Sequence, residues 1–374
     1  MSTKEKRILW ICNHATLMQW EVPLLIDLGF EVFVPKKIPS DSAARSSSVS
    51  DEFDSSLTIP LKLLNKLNKF DFYNNHWSPG IVKEINNYFG IAFCVTFPIL
   101  MDNLSELFTG NIFIRAFGQG EGYSYADFFE NSCSEFTLDR IIEKRGIWFA
   151  HVFKSIIEFE PKWLRDISIY LPIGLPDKYY RQQDQWVYQD KRILFVCPQI
   201  STPYYHQVYE DFNNNFSDFP HVICGIQNGL PENDPSVIGY IPEDEYHALM
   251  KSCALMYYHS TEKRHLHYHP IEAVIFGMPL VFMAGGVLDD FAGTMLPGSC
   301  KTYTEAREKI GRILNNDTVF INEVINGQKL LLEALDYDNL KLEWQNNFLP
   351  LAFNEFDQSI KIETKNPDSM VLGV

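Results

Sequence analysis

The chain of 374 residues holds no C-x-x-C pair, although it carries seven cysteines. Cys12, Cys94, Cys133, Cys197, Cys224, Cys253 and Cys300 stand singly and are odd in number, so neither a zinc knuckle nor a redox motif is readable. Several lie inside apolar runs, where cysteine acts as a small core residue; a reducing compartment, the cytoplasm, is the expected location. Basic charge is also scarce. Thirty-two Lys and Arg stand against 48 Asp and Glu, a formal charge of −16. That argues against nucleic acid as a partner and leaves at most peripheral contact with a membrane surface. Long apolar runs are missing too: ILWIC at 8–12 stops at Asn13 and His14, too short for a signal peptide, and no run approaches a bilayer span. The first strand-to-helix loop lacks a glycine-rich nucleotide fingerprint. No Asp-x-Asp metal motif ends a strand, so neither a metal nor a cofactor is expected.

What is present is globular. A hydrophobic content of 46% with 21% charged residues supplies a large core, and the length fits two domains. KRILWICNH at 6–14 returns as KRILFVCPQ at 191–199, each a basic pair, a buried-strand run and a polar loop. Short apolar runs rich in Ile, Leu, Val and aromatics fit parallel strands covered on both faces, so two similar α/β halves are expected. The Pro- and Gly-dense segment PIGLPDKYY at 172–180 marks the boundary between them. The expected division is 1–175 and 185–345, with 346–374 as a terminal segment.

Along the first half, helical spacing at 16–28 leads into the strand FEVFVP, a βαβ unit. A Ser-rich polar stretch at 37–56 reads as a loop. Helices at 61–67 and 79–88 and strands at 70–74, 91–97 and 112–115 follow. Ligands of open α/β sheets bind beyond the carboxyl ends of the strands. Asn13, His14, His76, Trp77, Asp102, Arg115 and Glu121 all fall there, so they are candidates. Asn13, His14, Trp77 and Arg115 are assigned to an acceptor, and Glu121, Asp102 and His76 to the chemical step, by position.

The second half centres on YYHSTEKRHLHYHPIEAVIFGMPLVFM at 257–283. A strand end, a loop with Lys263, Arg264, His265, His267 and His269, a helix opening at Pro270 and a buried strand succeed one another. A helix N-terminus with free N–H groups, ringed by cations and imidazoles, is a site for an anion such as phosphate.

Several segments resemble, in order, the C-terminal domain of GT-B glycosyltransferases, in particular the large retaining family that uses nucleotide-sugar donors. They are IYLPIGLPDKYY at 169–180, GYIPEDEYHALMKSCALM at 239–256 and, most specific, IEAVIFGMPLVF at 271–282. The resemblance implies two Rossmann-like parallel-sheet domains facing a cleft, with sugar transfer from a UDP- or GDP-sugar to a glycan or lipid-linked acceptor in polysaccharide synthesis. It implies retention of configuration and no metal. It places Glu272 on the ribose hydroxyls and Ser201 and Thr202 in the phosphate loop. The chain departs from that family where a first glutamate is due, carrying Arg264 with Glu262 two residues before it, and 197–204 contains no cation. Arg264, His265, His267 and His269 are therefore expected to meet the phosphate charge. His269-Pro270 is similar to the His-Pro element of CMP-sugar (sialic acid or Kdo) transferases, which keeps a CMP-sugar donor open. A nucleotide-sugar epimerase and a non-catalytic nucleotide- or sugar-binding protein are the remaining alternatives.

Overall fold

A computed structural model describes residues 3–39, 47–118, 123–143, 146–229 and 234–353. The first half runs β1 (Arg7–Ile11), α1 (Ala15–Asp27), β2 (Glu31–Phe33), α2 (Leu61–Leu67), α3 (Pro79–Tyr88), β3 (Ile91–Cys94), α4 (Pro98–Leu107), β4 (Asn111–Ala116), α5 (Tyr125–Ser132), α6 (Glu135–Ile142), β5 (Ile147–His151), α7 (Lys162–Arg165) and β6 (Ser168–Tyr170). A linker carrying α8 (Asp177–Tyr180) leads to β7 (Asp190–Val196), α9 (Pro203–Phe216), β8 (His221–Cys224), β9 (Val237–Gly239), α10 (Glu243–Ser252) and β10 (Cys253–Tyr258). There follow α11 (His269–Phe276), β11 (Leu280–Met283), α12 (Val287–Ala292), β12 (Ser299–Cys300), α13 (Tyr303–Leu314), α14 (Thr318–Glu333), α15 (Tyr337–Asn347) and α16 (Leu349–Ala352).

Two six-stranded sheets result, ordered β2-β1-β3-β4-β5-β6 and β12-β11-β10-β7-β8-β9, every pairing parallel. The two KRIL runs become β1 and β7, the strands at which chain order reverses in each sheet. A crevice opens at such a reversal, because the helices on either side leave in opposite directions. β1 and β10 are buried along their whole length, as strands between two helical layers must be.

The predicted strand at 70–74 does not form. Asp71 Oδ1 accepts from the backbone N–H of Tyr73 (2.9 Å) and Asn74 (3.0 Å), a local side-chain turn that outcompetes a ladder. Phe72 and Tyr73 still reach the core, so the apolar signal was genuine and the conformation differed.

The chain end also departs from the expected division. Leu340, Trp344, Phe348 and Ala352 belong to the apolar core of the first domain. Trp344 stacks on Phe93 (5.8 Å between centroids), its Nε1 donates to the Pro172 carbonyl (2.8 Å), and Phe348 packs on Phe30, Phe93 and Phe113. Helices α15 and α16 thus cross back to the first domain, and a boundary at 345 would cut through α15. Among the described residues no helix is long and apolar enough to cross a membrane.

Candidate active site

The carboxyl ends of the two sheets face each other. His14 after β1, Phe117 after β4, Val152 and Phe153 after β5 share one cavity of about 90 Å³ with His265, Tyr268 and Phe291 of the second domain. His14 caps α1, its Nδ1 accepting from Leu17 N (3.4 Å). Burial first, then the neighbouring His265, lowers its pKa to about 4. The floor of the cleft is therefore apolar, with neutral imidazoles on both walls.

The 259–268 loop is pinned to the first domain. Ser155 Oγ donates to the carbonyl of Lys263. Arg264 Nη1 donates to the Tyr123 carbonyl (2.8 Å), and its guanidinium lies 4.6 Å from the Phe159 ring centroid. Gly118, at φ +107, sits where a Cβ would stand 2.0 Å from the Arg264 carbonyl oxygen. Both oxygens of Glu262 also accept from the Arg264 side chain (2.8 and 3.0 Å). The cation expected to clamp phosphate is thus neutralised by a partner two residues away and serves as a domain latch.

The imidazoles form a stack above β10. His265 and His267 rings meet edge to face at 4.8 Å, and His267 and His269 lie 5.4 Å apart. Two tyrosine hydroxyls hold His267: Tyr258 at Nδ1 (3.3 Å) and Tyr205, from the first turn of α9, at Nε2 (3.4 Å). Burial comes first among the causes that lower His267 to about 3 and His269 well below the usual range, and mutual repulsion adds to it. Burial likewise lowers His265, against the pull of the Phe117 carbonyl. Two helices begin beside these imidazoles. α11 starts at His269; α9 starts after Thr202, whose Oγ1 donates to the Gln199 carbonyl (2.9 Å) and gives the helix no side-chain cap. Ser201 beside it is exposed. Gln227 braces the loop, accepting from Ile200 N (2.9 Å) and donating to the Cys197 carbonyl (2.8 Å).

Glu272, one turn into α11, points the other way. It is hydrogen-bonded to the Tyr246 hydroxyl of α10 and lines a cavity of about 150 Å³ with Lys178, Tyr179, Arg181, Glu243 and His247. Burial pushes its carboxyl up to about 7, beyond what Tyr246 offsets. A proton-sharing carboxyl that has one partner and faces open space is suited to a diol, each oxygen taking one hydroxyl.

The remaining candidates are engaged elsewhere. Asn13 is fully buried at φ +43, donating to the Pro35 (2.9 Å) and Ser48 (2.8 Å) carbonyls and accepting from Tyr73 (2.6 Å). Arg115 is buried against Glu21 and donates to the Ala150 and Leu171 carbonyls (3.0 Å each). Trp77 packs edge-on against Phe72 in the core. Asp102 Oδ1 accepts from Ser134 N (3.0 Å) and Thr137 Oγ1 (2.7 Å), tying α4 to α6. His76 is exposed on its loop. Glu121 lies outside the described residues. Among the described positional candidates of the first domain, His14 lines the cavity shared with the second domain. Lys178 and Arg181 on the linker, Tyr246 and Tyr205 escaped the sequence reading, because no local pattern says which tyrosine or linker cation reaches a distant loop.

No protein-family model and no curated protein matches the sequence. Solved structures do. Anabaena HepE in complex with UDP superposes with a TM-score of 0.58 at 10% identity, over 91% of this chain and 98% of that one. Sucrose-phosphate synthase from Thermosynechococcus elongatus gives 0.52 at 13% identity over 91% and 98%. A Thermobaculum terrenum O-GlcNAc transferase mutant gives 0.51 at 12% identity over 92% and 67%. Against TarM, at a TM-score of 0.48 and 13% identity, 70% of this chain spans about half, 54%, of that longer one. The likeness establishes the GT-B arrangement of two facing Rossmann-like domains.

Proposed function

We propose that this chain is a glycosyltransferase that takes its sugar from a nucleoside-diphosphate sugar. The observation that carries the reading is Glu272, a carboxyl pushed up to about 7 at the first turn of α11, beside open space between the linker and the second domain of a GT-B fold. In this reading the ribose hydroxyls bond to Glu272. The phosphates run toward the strand-order reversal between β7 and β10, onto the N-termini of α9 and α11. Helix N-termini stabilise the charge that develops on a departing diphosphate, so the reaction as proposed uses no metal or other cofactor. Lys178 and Arg181 add cationic charge near the ribose end. HepE, an architectural neighbour, has been solved with UDP and glucose, which favours UDP over GDP or CMP.

The acceptor enters from the first domain, where His14 is the imidazole that meets the second. Neutral near pH 7 and with Nδ1 accepting from Leu17, it presents its Nε2–H as a donor that orients an acceptor oxygen. A glycan or lipid-linked acceptor, retention of configuration and a role in polysaccharide synthesis complete the proposal, supported by the sequence resemblance. Thermal melts with UDP, GDP and CMP test the donor assignment. UDP is expected to raise the melting temperature of the intact protein, since a ligand that binds only the native state stabilises it, and Glu272→Gln is expected to abolish the rise. A response to CMP alone would replace the diphosphate donor by a CMP-sugar. Nucleotide binding with no turnover of any nucleotide sugar would make the chain a binding protein.

A further inference from the structure

His259 stands one residue past the end of β10, at the reversal of strand order, and among the described residues nothing hydrogen-bonds to its ring. Its ring is edge-on to Phe195 of β7 (5.9 Å between centroids) and tilted against Tyr204 of α9 (6.4 Å) and Tyr258 (5.7 Å). Both Nδ1 and Nε2 are shut off from solvent, and neither has a hydrogen-bond partner among the described residues. A neutral imidazole carries one donor and one acceptor, and leaving both unmatched is costly. Phenylalanine would fill the same aromatic niche without that cost. Two unmatched nitrogens at a strand end, beside the N-termini of α9 and α11, therefore mark the place of a ligand.

The chemistry of the surroundings selects an anion. Tyr204 from α9 and Tyr258 from β10 face the ring, His267 and His269 from the loop and α11 lie within electrostatic reach of it, and Tyr205 of α9 bonds to His267. All are uncharged at neutral pH, and no described carboxylate acts on His259. The site holds donors and protonatable nitrogens without a counter-ion. Among the described residues no group of three His, Cys, Asp or Glu side chains is disposed to hold a metal.

We propose that His259 contacts the donor phosphate, and that with His267 and His269 it draws a proton from solvent as the phosphate enters, so that nucleotide binding is coupled to protonation. This rests on the glycosyltransferase reading of the same cleft. The balance is simple: an imidazole nitrogen gains a proton from the buffer, the resulting N–H donates to a phosphate oxygen, and no covalent bond changes. Burial holds His259 down at about 4 and His267 at about 3, so both rings are neutral at pH 7. A phosphate supplies the missing counter-charge and raises those values. By linkage, a ligand that raises a group's pKa binds together with a proton.

Calorimetric titration of the intact protein with UDP and with uridine, near pH 7 in buffers of different ionisation enthalpy, reads this directly. Glu272 acts on the ribose of both, so their difference isolates the phosphate. UDP is expected to take up about one proton more than uridine. His259→Phe, which keeps the aromatic packing, is expected to weaken UDP at least about tenfold, to cut the extra proton uptake and to leave uridine binding unchanged. UDP binding without extra proton uptake, or UDP held as tightly by His259→Phe as by the natural protein, overturns the inference and leaves the functional reading standing. Failure of the natural protein to bind UDP, GDP or CMP at all overturns the functional reading and this inference with it.

Discussion

At Glu272 a single proton connects stability to binding. The carboxyl titrates at about 7 in the folded protein, against 4.5 for an ordinary glutamate. Between those values the native state holds a proton that the unfolded chain has lost, so this group makes the protein less stable as pH rises from about 4.5 to about 7. Glu272→Gln removes the buried charge. Urea titrations should show a gain of about 1–3 kcal/mol near pH 8 and none near pH 4, while nucleotide affinity falls. Loss of stability near pH 8 would instead show that the carboxylate supports the fold. The helix that carries Glu272 was legible in the sequence, because Pro270 two residues before it and the A-V-I-F-G-M-P that follows fix helix, cap and strand together. Arg264 was misleading for an equally local reason. Its counter-ion Glu262 is visible two residues away, yet only the loop conformation decides that both carboxyl oxygens reach it. Asn13 and Arg115 stand at strand ends, as ligand residues do, but Pro35, Ser48, Glu21, Ala150 and Leu171 consume them, and such long-range partners leave no sequence pattern.

At the scale of elements, the 259–268 loop joins the two halves of the cleft. It carries the histidines above β10 and fastens them to the first domain through Ser155, Tyr123 and Phe159. Gly118 permits that approach, since its φ of +107 and the 2.0 Å contact both exclude a side chain. Gly118→Ala should therefore loosen the latch while each sheet stays intact. Limited proteolysis should cut faster at the 172–189 linker, and the melting temperature should drop by the equivalent of about 1–3 kcal/mol. Unchanged proteolysis would show that the loop does not hold the domains. Elements announced by local chemistry, such as α2, or α3 with Pro79 at its first position, were readable to the residue. The segment at 70–74 was not, because the Asp71 turn and a strand share the same alternation of apolar residues. Nor was the destination of α15 and α16, which is set by a first-domain surface some 300 residues earlier in the chain.

At the scale of the whole molecule, the cleft concentrates histidines that burial keeps neutral. His14, His151 and His259 are held down at about 4 and His267 at about 3, chiefly by desolvation. A depressed histidine is protonated first in the unfolded chain. Its contribution to stability is complete above about pH 6.5 and is lost as pH falls toward its folded value. Each shift is worth about 2–3 kcal/mol by pH 4, and four together rival the roughly 5–15 kcal/mol that holds a typical domain. Glu272 acts in the opposite sense but alone cannot cancel them. Circular dichroism at constant ionic strength should show the protein unfolding between about pH 6 and pH 4. A flat signal across that range would mean that the imidazoles reach solvent. The claim on which the rest depends is that a nucleotide lies across the second sheet with its ribose at Glu272 and its phosphates at the histidine stack. A crystal structure of the intact protein grown with UDP tests it most directly. The account predicts ribose hydroxyls within hydrogen-bond distance of Glu272 and the diphosphate between the starts of α9 and α11, against His259. UDP bound elsewhere, with Glu272 still turned to Tyr246 alone, would contradict it.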